Sequence, residues 1–163
     1  TGNIRNAILR YGILKLSDGL GTALIPATMQ LSAQYWNGTA FVTNASDSCT
    51  VVNFNTNTIA GGSYTGSLTG ITLKNTSTTL LAGMGGLMVA STGQKTGSAA
   101  LAIKLGAADN NCVSATSGGG AGLNTLSGYL GGASCAGSYG KDPSAVVTFG
   151  TLRSPYVYRT EKY

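Results

Sequence analysis

The chain's 163 residues suffice for one domain with a substantial core, whereas two domains would each be marginal. Only 9% of residues are charged, against about 25% in an ordinary soluble domain, while glycine fills 25 positions and Ser, Thr and Asn most of the polar ones, a neutral, hydroxyl-rich make-up typical of extracellular fibres, pilus subunits and adhesive modules. The net charge of +5 is scattered from Arg5 to Lys162 and argues against nucleic acid, no apolar run approaches the ~20 residues of a membrane span, and the absence of histidine removes Ser-His-Asp and Cys-His catalysis and the commonest general base.

Taken in chain order, residues 7–17 read as a strand, with Leu14 and Leu16 on one face and Leu9, Tyr11 and Ile13 on the other. Gly12 suggests a bend, and Ser17-Asp18-Gly19 is a turn signal. A second strand spans 22–36, interrupted at Pro26. In it Met29, Leu31, Ala33 and Tyr35 alternate with Gln30, Ser32, Gln34 and Trp36, the period-2 pattern of a half-buried strand. Asn37-Gly38 turns the chain into a partner strand over 39–44, which makes a β-hairpin. Strand-like pieces recur at 50–54, 64–73, 78–81, 86–91, 98–105, 123–130, 144–151 and 155–160. Residues 98–108 contain good helix formers, but Leu101, Ile103 and Leu105 alternate, so the segment is assigned to strand; a one-turn helix near 122–127 is the only other helical candidate. Residues 53–67 and 106–122 are expected as polar loops. The sum is a single all-β domain over 1–163, an antiparallel β-sandwich of immunoglobulin-like or jelly-roll-like type with long Gly/Ser/Asn-rich loops.

Cys49, Cys112 and Cys135 lie in polar loops, which favours a disulfide and an oxidising compartment. Cys112 and Cys135 flank the 123–130 strand at opposite ends, which hinders a direct bridge, so Cys49–Cys112 is the preferred pair and the third thiol is left free or pairs between chains. The carboxylates Asp18, Asp47, Asp109, Asp142 and Glu161 show no pairing of the kind a glycosidase needs. Ser138-x-x-Lys141 and Lys95-Thr96-Gly97 match two penicillin-binding motifs, but in reversed order and with the serine in a Gly-rich loop. Asp18 and Asp109-Asn110-Asn111 offer oxygen ligands for calcium without the acidic cluster of an EF-hand, so no metal and no cofactor is assigned. Of the neighbours Tyr35 and Trp36 only one can face the core; cross-strand packing is the stronger reading, and a sugar-stacking platform is its rival.

Three stretches carry a resemblance. Arg10-Tyr-Gly-Ile-Leu-Lys-Leu-Ser-Asp-Gly-Leu-Gly-Thr22, then Gln34-Tyr-Trp-Asn-Gly38 with Phe41-Val42 and Asp47-Ser-Cys-Thr50, then Asp142-Pro-Ser-Ala-Val-Val-Thr-Phe-Gly150 with Tyr158-Arg-Thr-Glu-Lys-Tyr163, occur in the order of the DUF6701 domain. The chain thus resembles the C-terminal region of MshQ-like proteins, linked to the mannose-sensitive haemagglutinin pilus of Gram-negative bacteria. Where members carry a Trp-Leu pair before the last strands, this chain has Gly128-Tyr129-Leu130. The resemblance implies a surface or pilus-associated β-domain and brings no catalytic residues.

The expectation is therefore a non-enzymatic extracellular structural or adhesive module of a bacterial surface fibre, exported through the periplasm. No signal peptide begins the chain, so an exported protein has lost one or this is a module of something longer. Its partners would be like subunits or other pilus and surface proteins, joined by strand pairing at sheet edges. The apolar segment 4–13, with Ile4, Ile8, Leu9, Tyr11 and Ile13, is the candidate donated strand. The alternative is a carbohydrate-binding adhesin domain that meets surface glycans through Tyr35 and Trp36.

Overall fold

The computed structural model describes residues 12–55, 58–105, 130–131 and 142–151. These form β1 (Gly12–Leu16), β2 (Gly19–Thr22), β3 (Ala27–Trp36), β4 (Phe41–Thr43), β5 (Val51–Asn53), β6 (Ile59–Gly62), β7 (Ile71–Leu73), β8 (Ser77–Thr79), β9 (Met84–Ser91), β10 (Gly97–Ile103), β11 (Leu130–Gly131) and β12 (Ser144–Gly150). There is no helix among the described residues.

The alternation read from the sequence is carried into the structure by β3. Ala27, Met29, Leu31 and Ala33 are buried, and Thr28 and Gln30 between them are exposed. At ten residues β3 is long enough to pair with three strands. Its C-terminal half lies against β1 on one side, while β9 and then β4 follow one another along the other. One sheet has the order β11-β1-β3-β9-β7 with β4 attached to β3, the second has the order β2-β12-β10-β6, and β5 and β8 form a small ladder of their own.

This order separates the two sandwich types that alternation left open. β1, β3, β9 and β7 stand as strands A, B, E and D of an immunoglobulin-like sandwich, and β12, β10 and β6 as G, F and C. β2 completes the match. After β1 the chain crosses at Ser17-Asp18 to the opposite sheet, where β2 runs parallel to β12. A second parallel pair joins β1 to β11, so the sandwich is antiparallel in most but not all of its ladders.

β2 also closes one side of the sandwich. A Cβ on Gly21 would sit 2.8 Å from the Ile25 carbonyl and 2.9 Å from the Ala27 nitrogen, so only glycine lets the strand lie this close to the start of β3. Between the sheets, Leu14, Leu16, Met29, Leu31, Leu87 and Val89 meet Ala99, Leu101, Ile103, Val147 and Phe149 in one apolar cluster. Val52, Phe54 and Leu80, in and beside the small ladder, extend that cluster.

Several expected boundaries move. Pro26 ends a turn between β2 and β3 and does not interrupt one strand, because Thr22 Oγ1 accepts from the nitrogens of Leu24 and Ile25 and turns the chain there. Of the expected strand at 64–73 only Ile71–Leu73 pairs. The segment expected as a loop at 53–67 contains β6, whose Ile-Ala-Gly-Gly sequence has too few large side chains to show alternation but is held by β10 along its length. The expected strand over 98–105 is β10. The strand proposed at 155–160, the alternative helix at 122–127 and residues 7–11 lie outside the described residues.

Candidate interaction surfaces

Three of the five carboxylates lie among the described residues, and each holds backbone. Asp18 Oδ1 accepts from the nitrogen of Val146 at 2.8 Å, which ties the sheet-crossing turn to β12. Asp142 is buried, and its Oδ1 accepts from the nitrogen of Leu105 at 3.0 Å, where β10 ends. Asp47 Oδ1 accepts from Thr50 N at 3.0 Å and from Cys49 N at 3.3 Å. These carboxylates serve separate loops, and no three His, Cys, Asp or Glu gather as metal ligands among the described residues. Asp109 and Glu161 lie outside those residues, as does Ser138-x-x-Lys141. The Lys95-Thr96-Gly97 match is part of a turn, in which Lys95 N donates to Ser91 Oγ and that hydroxyl donates to Lys95 O, each at 2.7 Å.

Around Asp47, two stretches of loop are stitched together. Asp47 O accepts from Gly83 N, and Ser48 Oγ accepts from Ala82 N at 3.1 Å. Burial acts to raise the carboxyl's pKa, but hydrogen bonds from the hydroxyl and nitrogen of Thr50 and the nitrogen and thiol of Cys49 outweigh it, and the net shift is below the ordinary 3.8. A folded value below the unfolded one means stability that is present above the unfolded pKa and lost as pH falls through the folded value. Asp47→Asn should therefore flatten the fall of melting temperature below pH 3.8 and leave the neutral-to-alkaline slope unchanged; an identical acid limb in a thermal-melt series would refute this role.

Cys49 carries a free, exposed thiol, and Cys112, its expected disulfide partner, lies outside the described residues. The Cys49 sulfur points back to Asp47 Oδ1 at 3.9 Å. Cys135 also lies outside the described residues.

The hairpin places the aromatic residues as alternation requires. Tyr35 follows Leu31 and Ala33 on the inner face and is half-buried, and Trp36 turns outward and is 44% exposed. Trp36 stands directly opposite Phe41 on β4, with ring centroids 5.3 Å apart in an edge-to-face arrangement. The turn between them is rigidly capped, because Asn37 Oδ1 accepts from the nitrogens of Thr39 and Ala40, both at 2.9 Å. Of the residues proposed as a donated strand, Ile13 belongs to β1, paired with Gln34 of β3, and is buried; Ile4, Ile8, Leu9 and Tyr11 lie outside the described residues.

Two surfaces escape a reading of the sequence. The first is the edge at β7, which ends the larger sheet's order among the described residues. Lys74 N donates to Met88 O and Thr92 N to Gly70 O, so the even-numbered positions face β9. The backbone groups of Ile71 and Leu73 therefore face away from the sheet. Beyond β7 the side chain of Asn75 continues the ladder as a peptide would, with Nδ2 donating to Gly86 O at 2.9 Å and Oδ1 accepting from Met88 N at 2.8 Å. The second is the group of exposed aliphatic residues Leu20, Leu24, Ile25 and Val146 along β2, its following turn and β12. The only trace in the sequence is an apolar run beside Pro26, which equally suits a buried strand.

A family model described as DUF6701, fourth domain, matches residues 10–162. No curated protein and no solved structure matches the chain.

Proposed function

Because the chain belongs to the DUF6701 family, as its fourth domain, we propose that it is a non-enzymatic structural or adhesive module of a bacterial surface protein, one that works by contact through strand edges. The observation that carries this reading is the edge at β7, where a strand that pairs on one side among the described residues turns the backbone groups of Ile71 and Leu73 away from β9. Such an edge accepts an extended segment from a neighbour by ordinary ladder hydrogen bonds. The uses of Asp18, Asp47 and Asp142 as backbone anchors fit a molecule whose polar groups shape loops. The low charge, 9% of residues, suits a polymer or multi-module stalk outside the cell, reached through the periplasm, and a pilus-associated setting of the MshQ kind.

The partner strand is the apolar stretch before β1, with Ile4, Ile8 and Leu9, supplied by a like subunit. Deleting residues 1–8 should abolish filaments in electron micrographs while the remaining module keeps its melting temperature. Unchanged filaments would remove strand donation from the account.

A further inference from the structure

We propose that the side chains of Lys104 and Asp142 condense to an amide, a covalent cross-link between the end of β10 and the approach to β12. The inference is independent of strand pairing at β7, and either can fail alone.

Among the described residues these are the buried charged side chains, Lys104 at 2% exposure and Asp142 at 4%. The backbone sets them side by side. The β10–β12 ladder pairs Ala102 with Ser144, and Ile103 N donates to Pro143 O at 2.9 Å, which carries the same register onward. One step further it places Lys104 opposite Asp142 as a non-hydrogen-bonded pair, the kind whose Cα atoms stand about 4.5 Å apart and whose side chains lie closest. On the other flank, Lys104 N donates to the carbonyl of the buried Thr58 at 2.7 Å, so the lysine backbone is held from both sides. The carboxyl is held as well. Its Oδ1 accepts from Leu105 N at 3.0 Å, the peptide nitrogen next to Lys104. The ammonium, on a flexible stem, has the reach to meet a carboxyl fixed there.

This arrangement suits condensation. A proton passes from the Lys104 ammonium to Oδ2, and the neutral amine attacks Asp142 Cγ. The Nζ–Cγ bond forms, the Cγ–Oδ2 bond breaks, and Oδ2 leaves as water with two of the ammonium's protons. An ammonium and a carboxylate thus become one amide and one water, with no oxidant or cofactor in the balance. Leu105 N–H faces the oxygen on which negative charge develops, and Oδ1 remains as the amide carbonyl. A buried site excludes the water that would reverse the step, and the product removes the cost of burying two charges. The bond closes residues 104–142 into a covalent loop and constrains the unfolded chain as a disulfide would, without sensitivity to reductant.

Peptide mass spectrometry of the full native chain, reduced, alkylated and cut with trypsin, tests this. Residues 142–153 should appear joined to residues 96–141, one water lighter than the two peptides summed and uncut after Lys104. Lys104→Arg keeps the positive charge but should lose the junction and be cut after residue 104. If that variant does not fold, the native chain alone decides the matter. Separate, unmodified peptides 96–104 and 142–153 from the native chain overturn the proposal and leave an ionic contact only. Water lost instead from the peptide with Asp18-Gly19, with Lys104 and Asp142 unmodified, is succinimide formation and overturns it equally.

Discussion

Gly97→Ala should remove about 3–5 kcal/mol, a large part of a typical domain's stability. Gly97 opens β10 with φ +142°, a backbone conformation that side-chain-bearing residues rarely adopt. A Cβ there would lie 1.9 Å from the Thr65 carbonyl oxygen and 3.1 Å from Leu68 Cβ. Thr65 cannot step aside cheaply. Its nitrogen donates to Ser98 O at 2.9 Å, its Oγ1 accepts from Ser98 N at 3.0 Å, and the two hydroxyls are 2.7 Å apart. Relief of the clash must break this clamp or pull β10 from its register. Gly150→Ala supplies the control, because nothing lies within 4 Å of a Cβ at that position. It should stay within about 0.5 kcal/mol of the native protein. Urea unfolding of the two variants decides the matter: similar midpoints would show that β10 adapts and that the close approach at Gly97 is not needed.

Phe149→Ala should cost about 3–5 kcal/mol, from lost transfer energy and from the cavity left where the surrounding side chains relax only in part. Phe149 is 1% exposed and joins the cluster that includes Leu101 and Val147. It is also the cross-strand partner of Gly97 in the β10–β12 ladder. Residues in direct register couple, so the double variant should lose less than the two single variants added together. Strict additivity in the denaturation free energies would mean that the clash at Gly97 is relieved toward Thr65 alone, with β12 undisturbed.

The positions that made the chain resemble its family turn out to carry architecture. Asp18 and Gly19 belong to the crossing between the sheets, Asp47 builds the loop beside Cys49, and Asp142 fastens the end of β10. Phe149 fills the core, and Gly150 lies opposite Thr22 where β2 and β12 run together. A motif of this kind marks how an immunoglobulin-like sandwich is closed. The β7 edge, where a partner strand would pair, lies between the motifs, whereas the hairpin tip with Trp36 and Phe41 belongs to the middle one.

Much of the fold was legible because strand alternation is local. A side chain's face follows from its parity, so Met29, Leu31 and Ala33 declare their burial, Trp36 its outward direction, and Asn37-Gly38 its turn, with no knowledge of the rest of the chain. Parity does not say which strand lies beside which. That β1 and β2, two residues apart, enter opposite sheets, that β2 runs parallel to β12, and that the glycine-rich β6 is a strand at all were decided by pairing partners from 15 to 128 positions away in the chain, such as Leu16 with Leu31, Ile59 with Ile103 and Gly19 with Val147. The same holds for the candidate surfaces. An edge is a strand that found one neighbour and not two, and a carboxylate becomes an anchor only when a distant nitrogen reaches it. Composition and period thus determined an all-β, low-charge molecule, while assembly of the sheets determined where it is closed and where it can meet another.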